Sequence, residues 1–356
     1  MRANKPLALV LAMGAVGLGA GVLGHSSPVY AAPKTYTIYL SNNFVGNDWR
    51  QQMLRDATLA TQKGPLAGRV SLTIENVETT TQAQLNSLAN IIRAKPDAIL
   101  IDVASPTALN PTIERACKAG IVVVTFDQVA TADCAYKVSS DWDRISHVLA
   151  EWMGKMLDGK GKVLLDRGLA GAPISLTLEN GYKAVLKDQP GIEIVGSYNG
   201  NYALGPEQAG VASLLAAHPE VDGILTQGYG TGALKALQDV GRKVVPVTGF
   251  AYNNTAVTCA QTPGAKCILG SNPAYLSADA LRLAVEVLDG KAPASKQVFV
   301  YGAFLTTDPI KSDAYPDARF EKIEIGKNAF PDQPPGLDLP ISSDWLQISP
   351  KEAAGS

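Results

Sequence analysis

The sequence predicts an α/β fold of two similar lobes, each a parallel sheet flanked by helices. Three observations predict it. Apolar runs rich in β-branched residues alternate with stretches of helical length along most of the chain, the order that builds parallel sheets with helices on both faces. The run IVVVTFDQ at residues 121–128 shows no polar alternation, so it reads as a strand buried on both faces. The β/α alternation also falls into two series of similar length, which suits two lobes better than one large sheet. A chain of 356 residues is long enough for both.

In the first series, TYTIYL at residues 35–40 reads as a strand, followed by a polar turn over 41–47 and a helix from Asp48. A strand over 69–76 leads to a helix over 82–94, with Thr80 or Thr81 as its cap. Pro96-Asp97 restarts a strand over 98–103, and a helix over 111–119 leads into the strand at 121–128. The second series opens with a short strand at 135–139 and a helix over 143–157. KVLLD at 162–166 is a strand ending in Asp166-Arg167, before a helix over 175–187. Strands at 192–197, 221–226, 243–248 and 266–270 then alternate with helices at 206–217, 232–240 and 274–288. Beyond Thr307 the chain turns rich in Pro and Asp and reads as an irregular C-terminal extension over 308–356.

The N-terminus has the form of a secretory signal. Arg2 and Lys5 precede an apolar stretch over 7–23, and Val29-Tyr30-Ala31 offers small residues for cleavage after Ala31. Removal of residues 1–31 takes the formal charge from −2 to −4, a mild acidity that argues against nucleic-acid and anionic-membrane partners. The four cysteines of an exported chain are expected to form disulfides, and of the three possible pairings locality favours Cys117–Cys134 with Cys259–Cys267. The three histidines are scattered and no CxxC occurs, so neither a metal nor another cofactor is expected.

The ligand-facing residues are sought at strand ends, because open α/β sheets bind ligands at the carboxyl edge. Asp127 and Gln128 end the fourth strand, and a carboxylate there can accept two hydrogen bonds from neighbouring hydroxyls. A cap of the following turn is the plainer role for Asp127. The loop after the first strand carries Asn42, Asn43 and Asn47 and should lie on the same sheet edge. Aromatics recur near the proposed strand ends: Phe44, Trp49, Trp142, Tyr202, Tyr229 and Tyr252. Each can serve as core, and as a set they can stack on a sugar ring or another flat ligand. The glycines of Gly228-Tyr229-Gly230-Thr231-Gly232 lack the Lys-Ser/Thr of a phosphate loop and fit a tight turn. No G-x-S-x-G, no H-E-x-x-H and no nucleophile paired with a base occurs, so no enzymatic activity is expected.

With the exported N-terminus, the phrases SNNFVGNDWRQQM, KPDAILIDVASPTAL, AGIVVVTFDQ, LAGAP after KVLLD, LLAAHPEVDGILTQG and VTGF occur in this order over residues 35–307. In them the chain resembles the type I periplasmic sugar-binding proteins of ABC importers, with the ribose and galactose binders as relatives. The resemblance implies two lobes joined by a three-crossing hinge, with crossings near residues 139–141, 271–272 and 296–298. The first lobe would then comprise residues 32–140 and 272–296, the second 141–271 and 297–307. The binding positions it implies are Ser41, Asn47, Trp49, Asp127, Gln128, Tyr202, Gly228, Tyr229, Ala251, Ser271 and Asn272. The chain departs from ribose-type binders in having Gln128 and Leu178 for two arginines, Ala251 for an aspartate and Gly228 for an asparagine. Arg167 and Asn253 stand nearby as partial substitutes for the lost polar groups. The implied function is a periplasmic, monomeric receptor that encloses a small neutral polar solute, a sugar or polyol, and presents it to an ABC permease. Asp127 is expected to face solvent when the lobes are apart. Presentation to a chemoreceptor or sensor kinase, a non-sugar metabolite as ligand and an exported enzyme are the alternatives.

Overall fold

The computed structural model describes residues 34–78, 80–323 and 336–355; the expected signal segment lies outside them. The first series comprises β1 (Tyr36–Asn42), α1 (Asp48–Gln62), β2 (Val70–Asn76), α2 (Thr81–Ala94), β3 (Ala98–Asp102), α3 (Asn110–Lys118), β4 (Val122–Phe126) and β5 (Tyr136–Ser140). The second comprises α4 (Trp142–Met156), β6 (Gly161–Asp166), α5 (Pro173–Lys187), β7 (Ile192–Tyr198), α6 (Leu204–Ala217), β8 (Gly223–Leu225), α7 (Thr231–Asp239), β9 (Val247–Phe250), α8 (Asn253–Gln261) and β10 (Cys267–Gly270). The remainder is α9 (Leu276–Leu288), β11 (Gln297–Val300), β12 (Phe304–Thr306), β13 (Phe320–Lys322) and α10 (Pro350–Ala354).

Two sheets result, in the orders β11-β5-β4-β3-β1-β2 and β13-β12-β10-β9-β8-β6-β7. All pairings in the first are parallel, and in the second only β10 and β12 run antiparallel. Strand order reverses beside β1 in one sheet and beside β6 in the other, so both lobes have a switch point where loops diverge and leave a crevice. Strands buried on both faces explain the unbroken apolar runs. In β3, Ala98 and Leu100 join the core under α1 and α9, while Ile99 and Ile101 pack with Leu88, Ile91 and Ile113 of α2 and α3. In β6, Val163 and Leu165 face α4 and α5, and Leu164 faces the α6–α7 side. Polar caps start the helices: Asn47 accepts from the Arg50 N–H at 2.9 Å, Thr80 from Ala83 at 3.1 Å and Asp141 from Arg144 at 3.1 Å.

The chain crosses between the sheets three times, after β5, after β10 and after β11. The third crossing differs from expectation. Residues 297–300 pair with β5 in the first sheet, and only from Phe304 does the chain join the second, which moves the crossing from 296–298 to 301–303. Helix α8 was not expected because Asn, Thr and Val dominate its sequence, all poor helix formers, and its formation rests on buried Ala256, Cys259 and Ala260. The C-terminal extension is also more ordered than its composition suggests. β13 adds an edge strand beside β12, and α10 is held by a capping box between Ser349 and Glu352. Leu337, Leu339, Ile341, Leu346 and Ile348 are buried in the core cluster built mainly by the first lobe. Apolar residues spaced among Pro and Asp show no period, which is why the sequence did not disclose this packing.

Both expected disulfides are present, Cys117–Cys134 and Cys259–Cys267, with sequence separations of 17 and 8. Closing a loop of the first size restricts the unfolded chain by about 3 kcal/mol. The double variant Cys117→Ala/Cys134→Ala should therefore unfold at lower denaturant, and an unchanged midpoint would show that the bridge contributes nothing. A second expectation concerns Asp56 of α1, fully buried and pushed up to about 8 by desolvation, against the opposing charge of Arg55. Its native pKa exceeds the unfolded value, so between the two the native state binds the extra proton and stability falls as pH rises. The melting temperature should drop from about pH 5 to about pH 8, and Asp56→Asn should flatten that slope. An identical slope in the variant would assign the pH dependence elsewhere.

Candidate ligand-binding cleft

A cavity of about 420 Å³ opens between the carboxyl edges of the two sheets, lined by both lobes and by Asp338 of the C-terminal segment. Its polar end is built by the first lobe around Arg50, which is 4% exposed. The guanidinium donates to the Asn42 side-chain oxygen at 3.0 Å and pairs with Asp102 at the end of β3. Its other nitrogen reaches Asp127 Oδ2 at 3.4 Å. Asp127 Oδ1 accepts from the Asn272 side chain at 3.1 Å. Asn272, on the second crossing, accepts from Ser140 Oγ at 2.6 Å, and its carbonyl accepts from the Trp49 indole at 2.7 Å. One connected network therefore ties four strand ends, the start of α1 and the hinge.

Burial lowers the Arg50 pKa, opposed by the charge of Asp127; burial raises Asp127, opposed by Arg50 and by the Asn272 hydrogen bond. Asp127 takes a left-handed backbone, φ 55°, which Asp tolerates better than most residues. Asn201 and Tyr202, on the opposite wall, do the same at φ 52° and 51°. Three such residues at one cavity are the signature of loops held in place by their surroundings.

The second lobe supplies a less polar wall. Residues 169–174 and Leu178 bring apolar side chains from the turn before α5 and its first turns. Beneath them Asp166, at the end of β6, accepts from the backbone N–H groups of Gly168 and Gly200 at 2.8 Å and of Gln227 at 3.1 Å. Burial raises this carboxyl, and those three N–H groups oppose the shift. Glu207 does the same for the β8–α7 turn, accepting from Tyr229 at 3.0 Å and Ala233 at 3.1 Å. An added Cβ on Gly228 would lie 3.0 Å from the Glu207 carboxylate, so a side chain there would press on this anchor. Aromatic rings frame the space. Tyr229 stacks on Tyr252 with centroids 4.3 Å apart, and Trp142 meets Phe250 edge-on at 5.8 Å.

Of the residues singled out in the sequence, Asn47, Trp49, Asp127, Gln128, Tyr202, Tyr229 and Asn272 line the cavity, and so do all six aromatics. Four do not. Ser41 accepts from Gln84 on the far side of β1, and Asn42 points beneath the cavity to hold Arg50. Arg167 turns outward to Glu179 at 3.2 Å with half its side chain exposed. Asn253 is buried at the start of α8. Ala251 and Ser271, implied by the resemblance, are likewise buried outside the lining. Asp127 is 7% exposed and paired with Arg50 and Asn272. The residues that sequence reasoning missed are Arg50, Asp102, Phe250, Gln227 and Asp338. A signal for the first pair existed: a cation in the first turn of a helix opposes the helix dipole, and Asp102 is a charge ending an apolar strand.

Among solved structures, the chain is similar to an ABC transporter solute binding protein from Thermobispora bispora, with TM-score 0.67 and 26% identity over 82% of this chain and 90% of that one. A periplasmic solute binding protein of an ABC transporter from Actinobacillus succinogenes, with bound D-allose, shares the fold at TM-score 0.67 and 20% identity, covering 76% and 97%. A xylitol-binding protein of Mycolicibacterium smegmatis is 23% identical over 257 residues, 70% of this chain and 71% of that relative. The sequence pattern of the periplasmic binding protein domain matches residues 38–292, and the chain belongs to that family.

Proposed function

We propose that this chain is the solute-binding component of an ABC importer and that it encloses one small neutral polar molecule, a sugar or polyol, in the interlobe cavity. In this reading the N-terminal 31 residues direct export and are removed, and the mature protein acts as a monomer that delivers its solute to the permease. One observation carries the choice of solute. The cationic Arg50 is matched within the protein by two carboxylates, Asp102 and Asp127, so the cleft offers an anionic ligand no free counter-charge. The carboxyl of Asp338 is pushed well above the usual range, first by burial, and so disfavours its anionic form. Hydroxyl groups suit such a site because each can donate to a carboxylate and accept from an amide. Asn43, Asn47, Gln128 and Asn272 supply those amides, and Trp49, Trp142, Tyr229 and Phe250 supply faces for C–H surfaces. The xylitol and D-allose named for the two relatives are of this class.

Calorimetric titration with xylitol, D-ribose, D-allose and a sugar acid tests the reading. At least one uncharged compound should bind, and tighter than the acid. A preference for the acid, or no binding by any of the three, would reject the neutral polyhydroxy class. Asp127→Asn should weaken the best ligand roughly tenfold to a hundredfold, since a hydrogen bond to a charged group contributes about 1.5–3 kcal/mol. Arg50→Met should do more, leaving Asp102 and Asp127 buried without their cation at a cost of about 3–5 kcal/mol in stability. An unshifted melting temperature for Arg50→Met would show that the guanidinium is not the keystone inferred from its contacts.

A further inference from the structure

The C-terminal segment that begins at Gly336 lies beyond the residues matched by the family and is bonded to both lobes at once. On the second lobe, the Leu337 carbonyl accepts from the Asn253 N–H at 2.9 Å and the Leu339 N–H donates to the Ala251 carbonyl at 2.7 Å. On the first, Asp338 donates its N–H to the Gln52 side chain at 2.9 Å, and the same side chain reaches back to its carbonyl at 3.4 Å. Asp338 Oδ2 accepts from the Ala274 N–H at 2.9 Å, and Ser271 Oγ donates to the Leu339 carbonyl at 3.2 Å beside the second crossing. Leu337 and Leu339 are buried in the core cluster that joins first-lobe residues to Ala251, Ala256 and Ala260 of the second. Between these anchors Asp338, a residue 1% exposed, lines the cavity together with Asn272 and Tyr252.

We propose that Asp338 contacts the bound solute and helps determine which solute is accepted, so that the binding site has three parts: two lobes and a C-terminal strap. The strap holds this carboxyl by six hydrogen bonds to its backbone, to its neighbours' backbone and to one of its own oxygens, so it meets a ligand without first being ordered. Placed against hydroxyls of fixed stereochemistry, a rigid carboxyl discriminates strongly, because a hydroxyl missing or inverted leaves a buried polar group unpaired. Burial, with Asp56 and Asp127 nearby, favours its protonated form, which can donate as well as accept.

This inference rests on the cavity being the solute site, and two variants separate the claims. Asp338→Asn keeps an oxygen for the Ala274 N–H and changes the other end of the group. Both Asp338→Asn and Asp127→Asn are titrated with whichever of xylitol, D-ribose and D-allose binds the unaltered protein tightest, then with the other two. Asp338→Asn should lose at least about tenfold in affinity and alter the ranking of the three probes. Asp338→Ser, which also retains a side-chain acceptor, should behave alike, and melting curves of both monitor the strap. A changed ranking is an effect that a purely structural role would not produce. Wild-type affinity and ranking in Asp338→Asn, with Asp127→Asn weakened, would overturn the role of the strap alone. Wild-type behaviour in both variants would overturn the cavity as solute site together with it.

Discussion

The burial of Arg50 is the constraint on which the rest of the cleft depends. A guanidinium without water is tolerable only when its charge and its donors are met, and here that duty falls on Asp102, Asp127 and Asn42. All three sit at strand ends, so satisfying the cation fixes the start of α1 against β1, β3 and β4 together. The neighbouring Trp49 is placed by the same helix turn, and its indole reaches the hinge at Asn272. A charged group that is costly to bury thus sets the register between a helix, three loops and a crossing. Apolar packing alone, which is indifferent to direction, would leave those relations looser.

The two walls solve the same problem by different means. On the first lobe the polar groups face the cavity and bond to one another. On the second, Asp166 and Glu207 lie behind the wall and bond backbone N–H groups of the loops that form it. The first arrangement presents chemistry to a ligand, and the second presents shape. The second wall therefore carries rings and aliphatic side chains over 169–174, at Leu178 and at Phe250, held on a polar foundation that lies outside the cavity lining.

The fold was legible where burial imposes a pattern. Unbroken apolar strands, the Thr cap of α2, and the alternation of strands with helices were all visible in the sequence. The disulfide pairing followed from locality. Asp127 was legible as a strand-end carboxylate, and the aromatics as a set were legible from their positions after strands. What escaped notice depends on long-range contact. Arg50 opens α1 among several polar residues, so its place in the first turn was a faint signal, and its pairing with Asp102 from β3 is made only by folding. Arg167 stands beside a strand end as Asp127 does, yet Glu179 on the following helix draws it away from the cleft. Leu337 to Leu339 sit among Pro and Asp in a stretch with no periodicity, and their burial is decided by a surface that residues far upstream create.

The shortness of the crossings has a mechanical consequence. Asp141 alone separates Ser140 of the first sheet from Trp142 of α4, and three residues separate β11 from β12. An extended residue spans at most about 3.6 Å, so these links cannot lengthen enough to let one lobe slide away from the other. Anchored at such closely tethered points, the lobes keep rotation as their available degree of freedom. Displacement then grows with distance from the axis: a side chain at the rim is carried far by a turn that scarcely shifts Asn272 at the crossing itself. The polar network around Arg50 and Asn272 is thus set near the axis of such a rotation, where the least movement must be tolerated.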